Sequence, residues 1–134
     1  MKLMLCISEE NGLLFNRRRQ SSDAVLREKM LSLTDGRPLL VNAYTASQFQ
    51  STESLTVRED FLTAANEGDF CFAETDEPPL EQAEELYLFR WNRRYPADRF
   101  LDIATVERDF KTVSTEEFTG SSHPKITLTV YRRK

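Results

Sequence analysis

Apolar positions along the chain fall into short runs divided by polar breaks, and their period changes from run to run. KLMLCIS opens the chain with a nearly continuous apolar run and Asn11-Gly12 follows as a turn signal, which predicts a buried strand near residues 2–8 and then a tight bend. From Asp23 to Leu33 the residues Val25, Leu26, Met30 and Leu33 recur at helical spacing, and Asp35-Gly36 stops the pattern. RPLLVNAYT then enters through Pro38, and Leu39, Leu40 and Val41 predict a second buried strand near 38–42. Strand, helix and strand in that order begin a βαβ unit, so the Leu3 and Leu40 strands are expected to pair in parallel.

Further along, Thr45 to Phe49 fits one helical turn, and Thr56 to Asn66, with Val57, Phe61, Leu62 and Ala65 on one face, predicts a helix ending at Gly68. DFCFAE predicts a strand near 70–74, which TDEPP breaks; LEQAEE fits a short helical turn before a strand near 85–92 in LYLFRW. Two last strands, near 109–118 and 125–133, flank Thr119-Gly120-Ser121-Ser122-His123, and Ile126, Leu128 and Val130 alternate with Thr127, Thr129 and Tyr131. The sum is an α/β domain: a mixed sheet with flanking helices and a C-terminal antiparallel hairpin.

Composition narrows the class. A chain of 134 residues suits a single domain, 1–134, and 40% hydrophobic with 30% charged residues and a mean hydropathy of -0.52 is the balance of a soluble globular protein. The first apolar run lacks the length and the small-residue cleavage site of a signal peptide, so a cytoplasmic protein is expected, with no membrane partner. Cys6 and Cys71 lie in apolar stretches without a C-x-x-C unit and are expected as buried thiols; with one histidine, His123, no metal site is expected. His123 is read as an exposed loop residue, because no Ser or Cys partner can be placed beside it from sequence. Walker, G-x-S-x-G and H-E-x-x-H patterns are absent.

The net charge of -4 conceals an asymmetry. Glu53 to Glu85 holds eleven acids and one base, Arg58, whereas the remainder carries seventeen bases and eleven acids. Asp76, Glu77, Glu81 and Glu84 in the acidic segment could dock on a basic partner or be a solvated loop and helix face. Arg90, Arg93, Arg94 and Arg99 surround Trp91 and Tyr95; with Arg17, Arg18 and Arg19 they could grip phosphate and stack on bases, or pair with the many acids and shield strand edges. Asp23, at the head of the first predicted helix, suits an N-cap, where a carboxylate accepts free backbone N–H groups.

The order of elements, together with LEQAEELYLFRW, ADRFLD and the final pair DFKTVSTEEF and TGSSHPKITLTVYRRK, resembles the dihydrofolate reductase family. MKLMLCISEENGLLF is similar to that family's opening strand and mobile loop, SSDAVLREKM to its first helix, and RPLLVNAYTASQF to its second strand and following turn. The resemblance implies a reductase-like fold, trimmed on the cofactor side. It also implies that Asp23 stands where the family's acid binds and helps protonate a pterin ring.

The cofactor motifs depart from the family. Where it has Gly-Arg-x-Thr beside the NADPH phosphates this chain has Asn42-Ala43-Tyr44-Thr45, and only Thr45 matches. Where it has a glycine pair approaching the pyrophosphate, DFCFAETDEPP offers no glycine and brings Glu74, Asp76 and Glu77 instead. The strand motif L-Y-L-T ends here in Phe89. A binding or regulatory protein without cofactor is therefore expected, acting on a protein or nucleoprotein partner, with nucleic acid open as a ligand and a phage or mobile-element source suggested by compactness. The alternative is an NADPH-dependent reductase, or a pterin- or nucleotide-binding pocket, using Asp23.

Overall fold

In the computed structural model, which describes residues 1–134, β1 (Lys2–Ile7) runs through the centre of a sheet. It lies parallel to both β6 (Phe70–Phe72) and β7 (Glu85–Arg90), with Leu3 opposite Cys71 on one side and Leu86 on the other. β4 (Leu39–Val41) pairs in parallel with β6 and with the edge strand β5 (Leu55–Val57). On the far side β10 (Ile126–Arg133) runs antiparallel to β7 and to β9 (Phe110–Phe118), giving the seven-stranded order β5-β4-β6-β1-β7-β10-β9. The mixed sheet and its antiparallel C-terminal hairpin match the expected architecture.

The direct pairing of the Leu3 and Leu40 strands is not found: β6 lies between them. Strand order along a βαβ unit predicts parallel direction, which holds, but not adjacency. All three residues of β6 are buried, and an interior slot satisfies backbone donors and acceptors on both its edges.

Alternation along the strands builds a core on each face. Leu3, Leu5 and Ile7 pack with Leu86, Leu88, Cys71, Phe61 and Val106, while Met4 packs with Phe72, Phe89, Trp91 and Leu128. α1 (Ala24–Leu33) closes the second face by burying Leu26 and Met30; each such side chain contributes about 1.5–3 kcal/mol. Asp35 and Gly36, both at positive φ, end that helix turn as the sequence predicts.

Two regions differ from expectation. The helix predicted over 56–66 is replaced by β5 and a single turn, α3 (Phe61–Ala64), because Thr56 and Val57 complete the ladder beside β4 while Arg58 clasps Asp60 in the connection. Sequence reading also gives no element for a second, three-stranded sheet formed by β2 (Gly12–Phe15), β3 (Arg18–Arg19) and β8 (Arg99–Phe100), nor for α4 (Ile103–Asp109). β2 and β3 are joined by Asn16 and Arg17, at φ 53 and 61 degrees, the backbone of a two-residue primed hairpin turn.

Candidate functional site

Strand order reverses beside β1, so a crevice is expected outside the carboxyl ends of the parallel strands. Two buried carboxylates stand there, Asp23 before α1 and Glu74 after β6. Each is already engaged by its own chain.

Asp23 is the N-cap of α1, accepting from Leu26 N–H at 3.1 Å, and it also anchors the β9–β10 connection. Ser121 and Ser122 N–H groups donate to it at 3.0 and 2.9 Å, Ser122 Oγ lies at 3.2 Å, and His123 Nδ1 at 3.0 Å. Burial alone would raise the Asp23 pKa; the bonds from Ser122, His123, Ser121 and Leu26 outweigh it and hold the carboxyl well below the usual carboxylate range. A Cβ at Gly120 would fall 2.3 Å from Asp23 Oδ2, so the connection is seated hard against the carboxylate.

His123 is buried, 2% exposed, and stacks on Trp91 with ring centroids 4.5 Å apart; the expectation of an exposed loop residue is overturned. The carboxylate can only accept, so Nδ1 carries the hydrogen toward Asp23, and Nε2 faces the hydroxyls of Ser21 at 3.1 Å and Tyr95 at 2.9 Å. Asp, His and Ser stand in the order of a nucleophilic triad. Nε2 is shared with Tyr95, and the imidazole side chain is 1% exposed and stacked on Trp91, while Ser21 is half-buried.

Glu74 stands where the resemblance places the cofactor. Arg19 binds it through Nε at 3.0 Å and Nη2 at 3.1 Å, Thr45 Oγ1 donates at 2.9 Å and Gln48 Nε2 at 3.0 Å. Arg19 also donates to the Tyr44 carbonyl and lies over the Tyr44 ring. Thr45, the one matching cofactor position, is thus buried and engaged with an acid. α2 (Ala43–Ala46) caps itself through Asn42 Oδ1 on Thr45 N–H, and Glu59 takes Ala43 N–H, so two donors at that helix start already hold oxygens. A pyrophosphate there would meet Glu74 and Glu59; the residues present do not fit the group.

The other sequence-predicted residues are dispersed. Asp76 accepts from Asn42 and has its pKa raised by burial and by Glu59, Glu77 lies 3.9 Å from Arg99, Glu84 lies 3.5 Å from the N-terminal amine, and Glu81 is exposed. Trp91 is 3% exposed and closed off by His123, whereas Arg93, Arg94 and Arg99 are exposed and Arg90 reaches Asn11. Burial pushes the Cys71 thiol up to about 12, and burial of the Cys6 sulfur, with Glu74 adding to it, raises that thiol as well; Cys71 is buried as expected, whereas Cys6 keeps some exposure. No three of His, Cys, Asp and Glu converge as metal ligands, and no helix is long and apolar enough to cross a membrane.

No family model and no curated protein matches the sequence. Among solved structures the chain is similar to dihydrofolate reductase from Enterococcus faecalis complexed with NADP(H) and RAB-propyl, at a TM-score of 0.64 and 12% identity over 99% of this chain and 95% of that one. The fold is that of a dihydrofolate reductase.

Proposed function

We propose that this chain is a non-catalytic binding or regulatory protein on a reductase-like fold, acting by docking on a nucleoprotein or protein partner. The observation that supports the reading is the saturation of Asp23. A pterin's amino-pyrimidine edge needs two free carboxylate lone pairs, and Asp23 gives its own to Ser121, Ser122, Leu26 and His123. Displacing that loop would break the bonds from Ser121, Ser122 and His123 to the carboxylate, at about 1.5–3 kcal/mol for each hydrogen bond to a charged group. The Glu74–Arg19 pair argues the same way against a dinucleotide. Opposed charge along the chain supplies the means of steering toward a macromolecule.

Calorimetric titration with NADPH and an assay of dihydrofolate turnover test it together. The expected result is no heat at micromolar NADPH and no turnover. Turnover that disappears in Asp23→Asn would overturn the reading and restore the reductase.

A further inference from the structure

The small sheet gathers what the large one leaves open. Phe15 and Phe100 are 48% and 54% exposed, and no other aromatic side chain of the molecule is so open to water. They line two adjoining hollows, of about 270 and 340 Å³, that share Tyr95 and Pro96 as a common wall. Arg18 lies across from Phe15 in the ladder, and Arg94 lines the second hollow. Arg17, Arg18 and Arg93 are exposed and form no ion pair; of the nearby acids Glu10 is engaged by Arg94 and Asp98 by Asn16 N–H, and Glu9, whose N–H donates to the Arg93 carbonyl, is exposed. Gln20, on the wall of the Phe15 hollow, holds the one buried side-chain oxygen of the protein that lacks a hydrogen-bond partner.

We propose that β2, β3, β8 and the segment Arg93–Phe100 form a binding face for single-stranded nucleic acid, with Phe15 and Phe100 as stacking platforms and Arg17, Arg18 and Arg93 on the phosphates. This names the partner class for the docking function above and rests on that reading. Exposed rings take bases whatever their identity, and arginines without an ion pair on the same small sheet and its flanking segment can track a backbone. Trp91, singled out by sequence for stacking, is sealed inside, and the exposed phenylalanines take its place.

The test is fluorescence anisotropy of a labelled oligodeoxycytidine of about twenty nucleotides, titrated with the full chain between about 50 and 200 mM salt. Binding that weakens steeply with salt is expected. Phe15→Ala with Phe100→Ala should weaken it about tenfold or more at an unchanged salt slope, and Arg18→Ala with Arg93→Ala should lower the slope by about 1.4, at about 0.7 for each lost phosphate contact. Absence of binding at about 100 μM protein in the lower salt, or equal affinity in the phenylalanine variant, overturns the proposal. So does a poly-glutamate peptide that binds as tightly as the oligonucleotide, which would make the face a site for acidic protein. These failures leave the docking reading standing, whereas NADPH turnover would remove it.

Discussion

Asp23 and Arg18 stand five residues apart in the same stretch of chain, yet they live in opposite conditions. The buried acid accepts from Leu26 in its own helix and from Ser121, Ser122 and His123 across the fold, and the arginine's side chain has no ion pair. In a reductase the acid would be the group left open for ligand. Here the polar groups at the carboxyl ends of the strands are closed on one another, while charge and aromatic area are left open on a sheet that lies to the side. A fold can therefore be kept in full while the place where it offers unsatisfied chemistry moves.

The largest effect should come from removing the acid. Asp23→Ala strands the buried Leu26 N–H and His123 ring and removes the bonds that Ser121 and Ser122 N–H make, and about 3–5 kcal/mol of stability should be lost in urea denaturation. Acid should reproduce part of that loss in the unaltered protein. A carboxyl held below its unfolded value contributes stability that is present above the unfolded pKa and fades as pH falls toward the folded one. The stability gap between the native chain and Asp23→Asn should thus be full near neutrality and narrow below about pH 4. Arg18→Ala, at the open end of the comparison, should change stability by less than about 0.5 kcal/mol at either pH.

Seating of the connection gives the next effect. Gly120→Ala places a methyl group against the Asp23 carboxylate and should cost about 1–3 kcal/mol, read as a lower thermal midpoint. A loss smaller than that of Ser121→Ala would mean that the connection is not held against the acid. Ser21 sharpens the contrast chemically: a fluorophosphonate probe should leave it unlabelled, because Nε2 is shared with Tyr95 and covered by Trp91, and Ser21→Ala should cost no more than about 1 kcal/mol. Labelling that Ser21→Ala abolishes would turn the cluster into an active site.

What the sequence made legible follows from the range of the forces involved. The buried strands, the first helix and the final hairpin rest on local apolar period and turn residues, and they stand within one or two residues of their expected ends. The position of β6 between β1 and β4 depends on which partner fills an interior slot, which no local pattern carries. The short strands β3 and β8, of two residues each, are too brief to show a period. Asp23 was legible as a cap and as a family position, but its binding to Ser122 and His123 joins residues about a hundred positions apart. The small-residue run Gly120-Ser121-Ser122 was the available signal, since such residues let a backbone approach a carboxylate. Arg19 and Glu74 met only on folding, and the pair turns one member of each charge group inward.

The smallest effect divides stability from binding at a single residue. Arg17 sits at φ 61 degrees in the turn between β2 and β3, where Asn-Gly is the favoured pair and this chain has Asn-Arg. A side chain in that conformation carries strain that glycine would not, and the guanidinium makes no ion pair that offsets it. Arg17→Gly should therefore stabilise the protein by about 0.5–1 kcal/mol, visible as a higher urea midpoint at unchanged slope. The same variant should bind the labelled oligodeoxycytidine more weakly and with a shallower salt dependence, as a lost phosphate contact requires. Opposite signs in the two measurements would mark Arg17 as a residue held for contact at the expense of its turn. A stabilised variant that binds the oligonucleotide as before would detach the hairpin tip from the face.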